Sequence, residues 1–481
     1  MSNTIKRTAI ALLLAGSFLF TVAYWVLRLG FGIDLYDRSG WYFTDNDQTQ
    51  LLDHNGKPLK QWQVVDGDEY YFDDNGYMVR GWLEENGAKH YFSDDGTRHS
   101  GWLTVEGDTY YCTTEGILSG GWCELSGSMY YFDDSGVLQT GWIEDGNDCY
   151  LTDQTGIRLS GKQNTDRGVV WLDSQGRCQY GWITEGDKTY YLHQETGVIA
   201  TGWQCIEEQI YYFDPEGILV TGWLSYEDET YYLNPDGEMV TGWNQIDDDR
   251  YYFLDDGTMY RGWLETEAGT YYLKDDGTMA IGQITLDGTN HFFTSQGKYV
   301  LLVNPWNPVP ENYELNLVDL GVHQIDAECF EPLLKMLEDC EKAGYSYRLD
   351  NIYRSVGVQQ YIWNQKIKEY MEMGYDYHTS WYYTGQSVAI PGHSEHQTGL
   401  AADILGSKAT YAWLREHCWE YGFILRYPEN KIEITGIIYE PWHFRYVGTE
   451  LAKELYDLDL CMEEYMQMLT EQQVKKESRN D

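Results

Sequence analysis

The chain has 481 residues and a formal net charge of −44, which excludes a nucleic-acid partner, because phosphate binding needs clustered lysine and arginine and no such cluster occurs. Glycine (49) and tyrosine (43) are abundant while proline (10) is scarce, which excludes a disordered chain and favours many short strands joined by turns. The length exceeds one ordinary domain and the composition changes near residue 300, so a multidomain protein is expected.

The acidity has two readings, plain solubility or attraction of cations such as ammonium-bearing wall polymers or Ca²⁺. Nine cysteines are dispersed: Cys112, Cys123, Cys149, Cys178 and Cys205 early, then Cys329, Cys340, Cys418 and Cys461. An odd number cannot pair fully within one chain, and none shows CxxC metal spacing. They are read as packing residues or an occasional disulfide.

At the start, Lys6 and Arg7 precede an uncharged apolar run over 8–27. As a helix this run would be about 30 Å long, enough to cross a bilayer core. It ends Ala23-Tyr24-Trp25-Val26-Leu27-Arg28, without the small residues of a signal-peptidase site. Residues 1–28 are therefore expected to form an uncleaved transmembrane anchor, with everything after Arg28 on the extracellular face. A cleaved signal peptide and a secreted protein stay as the alternative.

From about Gly40 the sequence recurs every twenty residues, as in Gly81-Trp82, Gly101-Trp102, Gly121-Trp122 and Gly141-Trp142, and after a one-residue slip in Gly202-Trp203, Gly222-Trp223 and Gly242-Trp243. Each unit adds an aromatic cluster and an acidic turn, for example Tyr70-Tyr71-Phe72-Asp73-Asp74-Asn75-Gly76. Aromatics suit strands and Asp/Asn-Gly steps suit tight turns. A single hairpin cannot bury its own apolar face, so a stacked β-hairpin solenoid over 29–299 is expected. Lys162 and Gln283 replace the tryptophan in two degenerate units, and the unit of Gln283 is expected to close the stack.

The array resembles the GW/YYF cell-wall-binding repeats of choline-binding proteins, glucan-binding proteins and clostridial toxins. The resemblance implies binding to a wall polymer, whether choline, teichoic acid or glucan. In choline-binding relatives, aromatic side chains cage a quaternary ammonium by cation–π attraction. Those repeats carry an additional Trp before the tyrosine pair, where this chain has Glu69, Thr109, Met129 and Thr189. The full cage is thus expected to be incomplete, and tryptophan and tyrosine as core filling is the competing reading.

After Lys298 the period stops, and a proline-bearing connector over 303–313 opens a domain at 300–460. Helical periodicity runs over 329–343 and 358–373, and a strand is expected over 432–439, giving an α+β domain. The end, 461–481, turns polar and is expected to be a fraying helix end or disordered tail.

Two stretches concentrate chemistry: Ser394-Glu395-His396-Gln397-Thr398-Gly399-Leu400-Ala401-Ala402-Asp403 and Glu440-Pro441-Trp442-His443-Phe444-Arg445-Tyr446. Two histidines and a carboxylate suit a catalytic Zn²⁺, which takes three protein ligands and leaves a place for water, and a nearby carboxylate can take that water's proton. His396, Asp403 and His443 are the candidate ligands and Glu440 the candidate base. Taken by itself, a lone His-x6-Asp is more often structural than metallic.

These stretches resemble the VanY-type D-alanyl-D-alanine carboxypeptidases of the zinc peptidase group that also holds the VanX dipeptidases, with their S-x-H-x-x-G-x-A-x-D and E-x-x-H pattern. The likeness runs over about 302–447. It implies zinc on His396, Asp403 and His443, acid/base catalysis by Glu440, and substrate recognition by Arg354 through paired hydrogen bonds. By the same analogy Ser394 and Gln359 line the site. The implied substrates are peptidoglycan stem peptides ending in D-Ala-D-Ala. L,D-carboxypeptidase and endopeptidase activities of the same group remain open, as does a non-catalytic wall-binding or adhesion protein. His393, His378 and His417 are read as bystanders. Ser295-x-x-Lys298 has no S-x-N or K-T-G companion, so a serine mechanism is rejected.

Overall fold

A computed structural model describes residues 38–480 except 45, 117 and 119. The expected membrane-spanning run over 8–27 lies outside the described residues. Among those described, no helix is long and apolar enough to cross a membrane. The chain divides into two compact units, the first comprising the described residues up to Gln204 with Tyr212–Leu219, the second Cys205–Tyr211 with Val220 onward.

In the first unit, each twenty-residue repeat is one antiparallel hairpin, as in Gln61–Val65 paired with Asp68–Phe72, where Trp62 faces Tyr71. Its two-residue turn places Asp66 (φ 56°) and Gly67 (φ 101°) in the left-handed region, the conformation that favours Asp-Gly at a hairpin tip. The acidic turn that follows is held by Asp73, whose Oδ1 accepts the backbone N–H groups of Asn75 and Tyr77 at 2.9 and 2.8 Å. Apolar faces are buried between successive hairpins: Phe72 and Phe92 are fully buried, and Trp62 packs 5.0 Å from His90 and 5.6 Å from Phe92 of the next hairpin. Nearest-neighbour burial of this kind is what makes a solenoid cohere.

The second unit opens with hairpins of the same design, such as Gly222–Tyr226 with Glu229–Leu233. Trp223 meets Tyr251 of the following hairpin at 4.9 Å. The hairpin of Gln283 is the last of the stack, as expected; it gains a third strand at Tyr299–Val300 and is covered by protein. Its Phe292 joins Leu302, Ile424, Leu451, Leu455, Met462, Tyr465, Met466 and Leu469 in one apolar cluster.

The rest of this unit is the expected α+β arrangement. A hairpin of β1 (Leu317–Leu320) and β2 (His323–Asp326) leads into α1 (Ala327–Lys342), which Asp326 caps by accepting the N–H of Glu328. Strand β3 (Tyr347–Leu349) precedes the helix pair α2 (Val356–Glu372) and α3 (Tyr377–Ser387). Then come β4 (Ala401–Gly406), α4 (Lys408–His417), β5 (Phe423–Leu425), the turn α5 (Ile432–Thr435), β6 (His443–Tyr446), α6 (Thr449–Leu458) and α7 (Met462–Asn480). The sheet is antiparallel in the order β3-β4-β6-β5. Its core is built on Ile325, Leu333, Met336, Leu337, Ile404, Phe423 and Phe444.

Two expectations are corrected. The segment 432–439 is not a strand: α5 ends at Gly436 (φ 75°), and Ile432 and Ile438 stay exposed, so the apolar run never pairs. The end from 461 is helical, one of its two expected forms, but it is not a loose tail: the first two turns of α7 bury Met462, Tyr465, Met466 and Leu469. Tyr465 and Thr470 of that helix bond the backbone N–H groups of Ser295 and Gln283 at 3.1 and 2.9 Å, and Lys476 pairs with Asp249 at 2.6 Å.

Candidate active site

Strand pairing assembles the site. Asp403 on β4 lies directly opposite His443 on β6, and the 3₁₀ turn Glu395–Thr398 brings His396 to the same place. That turn can close back onto β4 because Gly399 adopts φ 78°; a Cβ there would press on the backbone N of Asp326 at 3.0 Å.

His443 Nδ1 stands 3.2 Å and His396 Nε2 3.4 Å from the same oxygen of Asp403, and the two rings are perpendicular with centroids 4.8 Å apart. All three side chains are buried, and one donor atom from each lies within 4.8 Å of the others. The outer nitrogens are engaged: His396 Nδ1 donates to the Ile352 carbonyl at 2.7 Å, and His443 Nε2 donates to Glu395 at 3.2 Å. Each ring therefore turns its other nitrogen inward: His443 Nδ1 meets Asp403, whereas His396 Nε2 is a buried polar atom with no hydrogen-bond partner. Buried polar atoms are seldom left so, and two imidazoles and a carboxylate are a fitting donor set for Zn²⁺.

Charge placement follows burial. Burial pushes His396 down to about 4, so it is neutral at pH 7. For His443 burial is outweighed by Asp403 and Glu395, which raise it to about 9. Burial would raise Asp403, but His396 and His443 hold it well below the usual carboxylate range.

Glu440 lies at the start of the turn into β6, its Oε2 3.8 Å from His443 Nδ1. Burial, aided by the charges of Asp403 and Glu395, pushes it up to about 7. Such a group exchanges protons near neutrality, as a general acid/base must.

Arg354 follows β3, with its backbone N–H fixed on the His396 carbonyl at 3.0 Å. Its Nη2 is 4.0 Å from Asp403 and its buried Nε has no partner, so the guanidinium keeps donors for an incoming group. Burial lowers its pKa. Ser394 is buried at the start of the turn that carries His396, two residues before it. Gln359 is placed differently from a lining residue: fully buried on α2, it donates to the Ala389 carbonyl at 2.7 Å and so holds the segment leading to Ser394. Among the bystanders, His393 Nδ1 bonds the Asn304 carbonyl, His417 pairs with Glu420, and His378 is exposed on α3.

Sequence reasoning passed over the charges behind the histidines. Glu395 is wholly buried, bonded by Arg426 Nε at 2.8 Å, with Arg445 Nη1 3.2 Å away but not aligned for a hydrogen bond. Arg426 also donates to Glu463 of α7 at 2.6 Å, and its guanidinium sits 4.9 Å over the ring of Tyr427, which itself lies 4.8 Å from His443. Burial would raise Glu395, but Arg426, Arg445 and His443 hold it far below its ordinary value. Glu395 and Arg445 stand inside the two quoted motifs; Arg426 and Glu463 do not.

Comparison with known proteins gives three family matches. The model described as VanY, D-alanyl-D-alanine carboxypeptidase, covers residues 322–449. The choline-binding repeat model covers 59–96, 200–241 and 240–283, and a cell wall binding repeat model covers 120–138 and 181–199. The D-alanyl-D-alanine carboxypeptidase of Enterococcus faecalis is 41% identical over 175 residues, 35% of this chain and 65% of that protein, so the chain spans just under two thirds of it. A bifunctional D-Ala-D-Ala dipeptidase and carboxypeptidase of Enterococcus gallinarum is 38% identical over 138 residues, 26% of this chain and 68% of that protein. The solved VanY D,D-pentapeptidase of a VanB-type resistance cassette, in complex with Zn(II), is 39% identical, spans 34% of this chain and 97% of its own, and has a TM-score of 0.34.

Proposed function

Because the chain belongs to the VanY family of D-alanyl-D-alanine carboxypeptidases, we propose that it is a zinc-dependent carboxypeptidase removing the terminal D-alanine from peptidoglycan stems that end in D-Ala-D-Ala. The observation that carries this reading is the buried cluster of His396, Asp403 and His443 with Glu440 at its edge. Those three residues would hold Zn²⁺, which when bound polarises a carbonyl and acidifies water.

The protein's own groups do the rest. Glu440 takes a proton from the attacking water and returns it to the departing amine, a cycle suited to a carboxyl with a pKa of about 7. Arg354 directs its unpaired donors to a substrate oxygen and fixes the scissile amide beside Glu440. Ser394 completes the substrate side, and Gln359 serves it by holding the 388–393 segment.

In this reading residues 300–460 are the peptidase, 29–299 hold a wall polymer, and 1–28 anchor the protein at the outer face of the plasma membrane. Cation binding by the repeats is supported from within: Arg98, Arg158 and Arg250 lie 5.3, 5.2 and 4.7 Å over Trp62, Trp122 and Trp243.

The test is mass spectrometry of pentapeptide and tetrapeptide stems incubated with the zinc-loaded full chain and with a chelated control. Chelator-sensitive loss of one alanine from the pentapeptide is expected. Cleavage of the tetrapeptide alone would move the assignment to L,D chemistry, and no cleavage of either would leave a wall-binding protein.

A further inference from the structure

The register between neighbouring hairpins sets two thiols against each other. In this array the carbonyl of the residue just before the aromatic pair accepts the N–H of a residue in the next repeat, the second after its turn glycine. The bond runs from Arg98 to Glu69 at 2.7 Å, from Arg158 to Met129 at 2.9 Å and from Cys178 to Cys149 at 2.8 Å. Side chains at this place tie one repeat to the next: Glu69 and Arg98 form an ion pair across it. In one junction both positions are cysteine.

The adjoining residues Tyr150 and Arg177 form an antiparallel bridge, so Cys149 and Cys178 are directly opposed, at a hydrogen-bonded pair. Cα atoms in such a pair are about 5.5 Å apart, and disulfides most often join Cα atoms about 5.5–6 Å apart. The two thiols lie close enough for Cys149 to raise the pKa of Cys178, and both residues are half-buried, within reach of a small reagent. Other thiols of the array lack this arrangement: Cys112 faces Leu118 and Cys123 faces Tyr130.

We propose that Cys149 and Cys178 form an inter-repeat disulfide, a covalent staple at the junction of two hairpins, when the folded protein meets a low-molecular-weight disulfide such as oxidised glutathione. One cysteine thiolate attacks the sulfur–sulfur bond of glutathione disulfide and releases one glutathione. The second thiolate attacks the resulting mixed disulfide and releases the other, so that two electrons and two protons pass from the cysteines to the reagent. Burial, with the Cys149 thiol beside it, pushes Cys178 up to about 12, so its thiolate is scarce at neutral pH and the exchange is slow.

The experiment treats the reduced, full-length protein with oxidised glutathione at mildly alkaline pH, alkylates the remaining thiols after denaturation, and maps the digest by mass spectrometry. The expected result is a peptide pair joined through Cys149 and Cys178, with neither of the two alkylated or carrying glutathione. Cys149→Ser and Cys178→Ser should each lose the link, the surviving cysteine carrying a glutathione instead. Free thiols or separate glutathione adducts at both positions of the folded wild type would overturn the proposal, as would a link that forms only after denaturation.

Discussion

The carboxylate of Glu395 receives the Nε2–H of His443 at 3.2 Å, which turns His443 Nδ1 toward Asp403, also 3.2 Å away. Replacing Glu395 by Gln removes the charge that Arg426 and Arg445 neutralise and loosens this orientation. Zinc affinity, read by competition with a chromogenic chelator, should fall roughly 10- to 100-fold, the usual cost of losing a ligand's outer partner. Wild-type affinity in the variant would show that Glu395 does not set the histidine.

Glu440→Gln keeps the size of the side chain and removes its basicity. Hydrolysis of the pentapeptide should drop by roughly 10²- to 10⁴-fold, while zinc content measured by atomic absorption stays at that of the wild type. Retained turnover would transfer the base to another group.

Arg354→Lys keeps a charge but loses the planar fork. The value of kcat/KM should fall about 10- to 150-fold, the equivalent of about 1.5–3 kcal/mol for lost hydrogen bonds to a charged group. A change confined to thermal stability would reduce Arg354 to a partner of Asp403.

Metal binding should be linked to pH through His443. With its pKa raised to about 9 this ring is protonated at neutrality in the metal-free protein, whereas His396, at about 4, is not. The metal must therefore displace a proton from His443, and apparent zinc affinity should rise by up to roughly tenfold per pH unit until about pH 9. Calorimetry in buffers of different ionisation enthalpy would report release of about one proton at pH 7.5. No release would mean that His443 is already neutral.

Glu463→Ala leaves Arg426 buried with Glu395 alone against it. Breaking a buried pair from one side costs about 3–5 kcal/mol, so the chemical unfolding midpoint should drop clearly. An unchanged midpoint would return 461–481 to the status of a dispensable tail.

How far the molecule can be read from its letters depends on distance along the chain. The repeats were legible because each hairpin restates the same turn chemistry, and His396, Asp403, Glu440 and His443 because they fall in two short runs that β4 and β6 lay side by side. Arg426 and Glu463 belong to the same assembly but come from segments with no motif, where an isolated charge is indistinguishable from a surface one. The first turns of α7 bury their apolar residues on one side, but the polar residues beyond Leu469 dominate the composition and hide that stripe. Over 432–439 a short apolar run suited strand or helix equally, and a glycine at φ 75° decided it.

The bonds from α7 to Ser295, Gln283 and Asp249 tie the final hairpins to the α+β domain. A polymer gripped by those hairpins fixes more than the address of the active site. Under the proposed function, it would also fix the bearing from which His396 and His443 face the wall.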